Sequence, residues 1–146
     1  MIELVVDASV AVKWFVRGQW ATSEGNVDAA HDLLRSCRSG RVRFVQPAHF
    51  LAEVASVLIR LTPDTAQDDV RLLSEAGMEW CSPGESMADA MRLAHQTQHH
   101  LFDTAYHALA FQRKGAFLIT ADRRYFQKAA SLGRLLWLED WRRVFE

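Results

Sequence analysis

The chain has 146 residues, 49% hydrophobic and 24% charged, with 17 lysines and arginines against 18 acids and a formal net charge of −1. That size and mixture fit one domain, residues 1–146, with a substantial core, and exclude a disordered chain, a collagen and a coiled-coil rod. No apolar run is long enough to span a membrane, and Glu3 and Asp7 interrupt the first apolar stretch where a secretory signal would be uncharged, so a soluble cytoplasmic protein is expected.

Ile2–Val6 is a β-branched apolar run, predicted as a strand buried on both faces. Asp7-Ala8-Ser9 interrupts it, Val10–Val16 reads as a helix, and Gly18 to Gly25 reads as a loop. Asn26–Ser39 has helical spacing through Val27, Ala30, Leu33, Leu34 and Cys37, and Gly40 is its stop. Val42–Val45 is a second strand, and Pro47 opens a helix over His49–Leu61. Thr65–Ala76 is a further helix and Met78–Cys81 a third strand. Ser82-Pro83-Gly84 is a turn, followed by helices over Glu85–Gln98 and Asp103–Lys114. Phe117–Thr120 is a fourth strand, Arg123–Ala130 a helix and Leu135–Leu138 a fifth strand. Strands alternating with helices predict an α/β fold on a mostly parallel sheet. Sites in such sheets form beyond the carboxyl ends of the strands.

Four acids stand in apolar surroundings. Asp7 ends the first strand and Asp122 follows the fourth; Glu53 lies inside Phe-Leu-Ala-Glu-Val-Ala, and Asp103 opens Asp-Thr-Ala-Tyr-His-Ala-Leu-Ala. Singly, Asp7 and Asp103 read as helix caps, Asp122 as a loop acid and Glu53 as part of an exposed face. Together, two of them at strand ends, they favour convergence on one site. Two carboxylates about 5 Å apart repel by roughly 3 kcal/mol at an effective dielectric of about 20. A cation or protonation has to relieve that repulsion. An all-oxygen cluster suits Mg²⁺ or Mn²⁺, which can activate water and clamp a phosphate oxygen. Cys37 and Cys81 are too few and too far apart for a disulfide framework or a zinc site.

Residues 5–15 (Val-Val-Asp-Ala-Ser-Val-Ala-Val-Lys-Trp-Phe), Pro47 to Leu58, 102–110 (Phe-Asp-Thr-Ala-Tyr-His-Ala-Leu-Ala) and 118–126 (Leu-Ile-Thr-Ala-Asp-Arg-Arg-Tyr-Phe) resemble, in order, the blocks of PIN-domain ribonucleases of the VapC toxin type. The resemblance implies a Rossmann-like three-layer α/β/α fold with a five-stranded sheet. It implies that Asp7, Glu53, Asp103 and Asp122 hold Mg²⁺ or Mn²⁺ and cleave RNA by in-line attack of metal-activated water, leaving a 5′-phosphate and a 3′-hydroxyl. Ser9 and Thr120 match hydroxyl residues that support the acids from behind. Arg123 and Arg124 either hold RNA phosphates or face solvent. A VapB-type antitoxin, a homodimer, a larger toxin–antitoxin assembly and operator DNA read by the antitoxin are implied as well. A PIN-like binding module without nuclease activity is the alternative.

Asp103 and His107, like His49 and Glu53, are four residues apart, so each pair can share a helix face. Either the histidines pack and hydrogen-bond near the site, the favoured reading, or an imidazole joins the ligands and admits a softer metal. His95, His99 and His100 read as a polar helix end. Trp14 and Phe15 read as core or rim, Trp20 as a loop residue whose exposure would mark a partner surface, and Trp80, Trp137 and Trp141 as apolar edges of late elements. A haloacid-dehalogenase-like phosphatase would need an acid where Ser9 stands, and a dinucleotide-binding domain a glycine-rich turn after the first strand; neither is present. Setting the four site acids aside leaves 14 acids against 17 cations, so nucleic-acid binding should strengthen with divalent metal.

Overall fold

The computed structural model of the chain describes all residues except Pro83 and Glu85, so the predicted Ser82-Pro83-Gly84 turn and the Glu85 helix start fall partly outside the described residues. Five strands form one sheet in the order β3-β2-β1-β4-β5, every pairing parallel. They are β1 (Ile2–Val6), β2 (Val42–Pro47), β3 (Glu79–Cys81), β4 (Phe117–Thr120) and β5 (Leu135–Trp137). β1 is central and buried on both faces: Leu4, Val5 and Val6 are completely buried, and helices cover both faces of the sheet. It pairs Leu4 with Phe44 of β2 on one side and with Phe117 of β4 on the other. The chain thus winds outward from β1 through β2 to β3, then crosses back to place β4 against the other edge of β1. That reversal leaves a crevice at the carboxyl ends of β1 and β4.

The remaining elements are α1 (Ala8–Ala11), α2 (Gly18–Ser23), α3 (Val27–Arg38), α4 (Phe50–Leu61), α5 (Ala66–Ser74), α6 (Met87–Thr97), α7 (Leu101–Gln112) and α8 (Arg123–Ala129), plus short 3₁₀ turns. The helix predicted over Val10–Val16 is only α1, tightening into a 3₁₀ turn over Val12–Phe15. β-branched Val10, Val12 and Val16 favour an α-helix weakly. The tight turn also brings Trp14 into the core, where its Nε1 donates to the Ala30 carbonyl (2.9 Å) and its ring stacks on Phe44.

The predicted Gly18–Gly25 loop contains α2. Local propensity is poor there, and the anchor is tertiary: the buried Lys13 ammonium binds Glu24 and the Gly25 carbonyl, while Trp20 Nε1 donates to Glu24 (3.0 Å). Trp20 is half-buried against the core, which corrects its reading as a loop residue. Beyond β5 the chain forms an unpredicted 3₁₀ helix, Leu138–Phe145. It buries Leu138 and Trp141 and is tied to α3 by Arg142, which donates twice to Asp32 (3.0 and 2.8 Å).

Gln46, invisible to pattern reading, secures the end of β1. Its fully buried amide accepts from the Val6 N–H (2.9 Å) and donates to the Val6 carbonyl (2.7 Å). One side chain thereby satisfies both backbone groups of the residue before Asp7, where an unpaired buried amide would cost about 1–3 kcal/mol.

Candidate active site

Asp7 follows β1 directly and stands at the N-cap position of α1, yet its carboxylate makes no capping hydrogen bond. It points instead into the crevice, buried, with Ser9 Oγ donating to one oxygen and Thr120 Oγ1 to the other. Each hydroxyl is fixed from behind: Ser9 Oγ accepts from Ala121 N and Thr120 Oγ1 from Asp122 N, both at 3.0 Å. The backbone of the β4–α8 connection therefore aims both hydroxyl protons at Asp7. Burial still pushes the Asp7 carboxyl up to about 7; the two hydroxyl bonds pull it down, and the nearby Asp103 and Asp122 raise it further.

Asp122 caps α8, accepting from Tyr125 N (3.2 Å) through one oxygen, which corrects its reading as a plain loop acid. Asp103 does not cap: α7 begins at Leu101, so the acid sits in the first turn and turns toward the crevice. There it meets a partner that sequence spacing missed. His99 Nε2 lies 2.7 Å from Asp103 Oδ2, and the His99 side chain is only 6% exposed. Lys128 Nζ approaches His99 Nδ1 at 3.3 Å and can only donate. Nδ1 therefore accepts, and Nε2 carries the proton given to Asp103. Gln98, in the left-handed region at φ 52°, turns the chain out of α6 and sets His99 on this line. His99, Asp103 and Asp122 each offer an atom within 4.8 Å of the other two.

Asp7 and Glu53 lie outside that trio; Asp7 stands near enough to feel the charges of Asp103 and Asp122, and Glu53 is half-buried on α4. Tyr106, on the face of α7 that carries Asp103, donates to Glu53 Oε1 (2.6 Å). Burial first, then the Glu53 bond and the charges of Asp7 and Asp103, hold the Tyr106 phenol far above its ordinary range, so it remains a donor. Tyr106 is thus the link between the fourth acid and the crevice. His49 lies 3.4 Å from Glu53, but its Nε2 donates to the Phe102 carbonyl (2.9 Å) and ties the starts of α4 and α7 together.

His107 does not pair with Asp103. It is fully buried, Tyr125 Oη donates to its Nδ1 and its Nε2 donates to the Gly133 carbonyl, both at 2.8 Å. Burial lowers its pKa, as fits a core imidazole. The packing role favoured for His49 and His107 is what the structure has, while the polar-helix-end reading of His99 is corrected. Arg123 and Arg124 are both exposed: Arg123 lies over the Trp137 ring at 4.9 Å, and Arg124 lines a hollow beside His99.

The donors fit a hard divalent cation. Three carboxylates at the crevice (Asp7, Asp103 and Asp122) face each other closely enough to raise the pKa of the buried one. The one nearby imidazole has its Nε2 engaged by Asp103. Oxygen donors carrying uncompensated negative charge are what Mg²⁺ or Mn²⁺ takes.

A family model described as a PIN domain matches residues 4–132. The fold is similar to the crystal structure of Mycobacterium tuberculosis VapC20, a Sarcin-Ricin loop cleaving toxin. The TM-score is 0.67 at 14% identity, covering 90% of this chain and 95% of that one. No curated protein matches the sequence. At such identity the likeness is one of fold.

Proposed function

This chain belongs to the PIN domain family, and from that premise we propose that it is a divalent-metal-dependent endoribonuclease, the toxin of a VapBC-type toxin–antitoxin pair in the cytoplasm. The observation that carries the reading is the convergence of Asp7, Asp103 and Asp122 at the crevice between β1 and β4, with Glu53 joined through Tyr106. Its substrate is RNA, and its partner is a VapB-type antitoxin. It acts as a homodimer, assembling further with the antitoxin on operator DNA that the antitoxin reads. Among the described residues no helix is long and apolar enough to cross a membrane.

Asp7, Glu53, Asp103 and Asp122 would hold the Mg²⁺ or Mn²⁺. When bound, the cation supplies Lewis-acid chemistry: it neutralises charge on a phosphate oxygen and lowers the pKa of the attacking water. The protein's share is orientation. Ser9 and Thr120 hold both oxygens of Asp7, leaving its remaining lone pairs directed into the crevice. His99 holds Oδ2 of Asp103 and leaves Oδ1 to the site; Tyr125 N does the same for Asp122. Tyr106 fixes Glu53 Oε1 and leaves Oε2 as a proton acceptor. Thr120→Val removes one of the two donors on Asp7 and should weaken Mn²⁺ binding by about 10–100-fold, as read by calorimetry. Unchanged affinity would remove Thr120 from the site's support.

The test of the function is cleavage of a panel of structured RNAs with Mn²⁺. Wild-type protein should cleave and stop on chelation; Asp7→Asn and Asp103→Asn should each lose at least about a hundredfold in rate. Cleavage at the wild-type rate by either variant defeats the assignment.

A further inference from the structure

Next to the acid cluster, between the end of α6 and the outer face of α8, lies a hollow of about 310 Å³ lined by Gln98, His99, His100, Arg124 and Lys128. Arg124 and Lys128 are four residues apart on α8 and so project side by side. Among the described residues neither meets a carboxylate. Lys128 Nζ donates only to the Gln98 carbonyl (2.8 Å) and to His99 Nδ1. Other arginines do meet carboxylates: Arg17 meets Asp69, Arg43 and Arg113 meet Glu3 and Glu79, and Arg142 meets Asp32. Two uncompensated cations lie together in a concave site beside the crevice, parted from its acids by a single imidazole. His99 belongs to both, holding Asp103 through Nε2 and facing Lys128 through Nδ1.

We propose that this hollow is a phosphate subsite that grips the RNA backbone at a phosphate neighbouring the scissile one. The inference rests on the ribonuclease reading. It assigns Arg124 and Lys128 to the same bound strand, with His99 as the divider between the phosphate undergoing cleavage and the one that is only held. An arginine presents a planar fork suited to two phosphate oxygens and a lysine a mobile point charge. Together they bring two positive charges to the non-bridging oxygens of one phosphodiester. A strand held there lies across the crevice in one register, so the subsite also contributes to where the cut falls.

The experiment follows binding of a short fluorescein-labelled single-stranded RNA by anisotropy with Mn²⁺, in an Asp7→Asn background that leaves the RNA intact. Salt is varied from about 50 to about 200 mM. Arg124→Gln and Lys128→Gln should each lower the slope of log affinity against log salt by about 0.7, and the double variant by about 1.4. Affinity should fall about tenfold or more in the double variant. Arg71→Gln removes an equal charge on α5, where Arg71 pairs with Asp68, and should change neither quantity. A double variant that behaves like Arg71→Gln overturns the subsite. So does an acidic peptide that competes through Arg124 and Lys128 when RNA does not bind there. RNA cleavage by wild-type protein with an unaffected double variant overturns the subsite alone. A wild type that neither binds nor cleaves any RNA overturns the ribonuclease reading with it.

Discussion

Without divalent metal, the protein should lose about 4 kcal/mol of stability as pH rises from about 4 to above 7, and Asp7→Asn should abolish that loss. The cause is the buried Asp7 carboxyl, raised from 3.8 to about 7. Between those values the folded state keeps a proton that the unfolded state has released. The Asp7 contribution is therefore fully present below 3.8 and is lost as pH climbs through about 7. Other groups titrate too, so the quantity to measure is the difference between wild type and Asp7→Asn in urea unfolding with EDTA across that range. The difference should grow in favour of the variant with pH. A constant offset of about 1 kcal/mol against the variant is expected, because its amide nitrogen meets a hydroxyl that was donating. Adding Mn²⁺ should flatten the wild-type slope and leave the variant unaffected. Parallel pH curves in EDTA would mean that Asp7 carries no such burden.

Trp141→Ala should destabilise the fold by about 3–5 kcal/mol and lower Tm by on the order of 10 °C. Trp141 is among the largest completely buried side chains, at 1% exposure, and packs edge-on to Phe145. It therefore anchors the terminal 3₁₀ helix to the main core and not to a satellite of it. A shift under roughly 2 °C, followed by circular dichroism, would show the terminal helix to be a detachable appendage. RNA cleavage at low temperature should survive the substitution, since the tryptophan is no part of the acid crevice.

Most of the strands could be read directly. β1, β2 and β4 are short apolar, largely β-branched or aromatic runs bounded by Gly, Pro or a polar break, and their burial in the sheet leaves little other use for such a run. Asp7 and Asp122 are legible for a related reason: each lies within two residues of the end of a largely apolar run, where a strand emerges from the core. The segment from Gly18 to Gly25 was misread because α2 is held by Lys13, Glu24 and Trp20 rather than by its own propensity. The Leu138–Phe145 helix was missed because its burial depends on contacts with α3 and the sheet, which its eight residues do not announce.

Helical spacing treats the positions four residues before and after Asp103 as equivalent neighbours, and His107 stood at one of them. His99 stands at the other but belongs to no helix, and reaches Asp103 because the left-handed turn at Gln98 folds the chain back. His107 is turned instead to Tyr125 and Gly133. Gln46 likewise reads as an interruption of a strand and proves to be its fastening.

By itself, then, the amino-acid order determined the α/β class and the strands and singled out four acids in apolar settings, because local propensity, burial pattern and short spacing are properties of neighbours in the chain; the two supporting hydroxyls came only with the family resemblance. Only the tertiary structure decided that β4 returns to the free edge of β1, which of the acids meet, that His99 and not His107 serves Asp103, and that Arg124 and Lys128 share a hollow with no acid. Those outcomes depend on strand order and on the direction in which each side chain leaves its element, and both are settled by packing between segments up to 113 residues apart, as in the bond from Thr120 to Asp7.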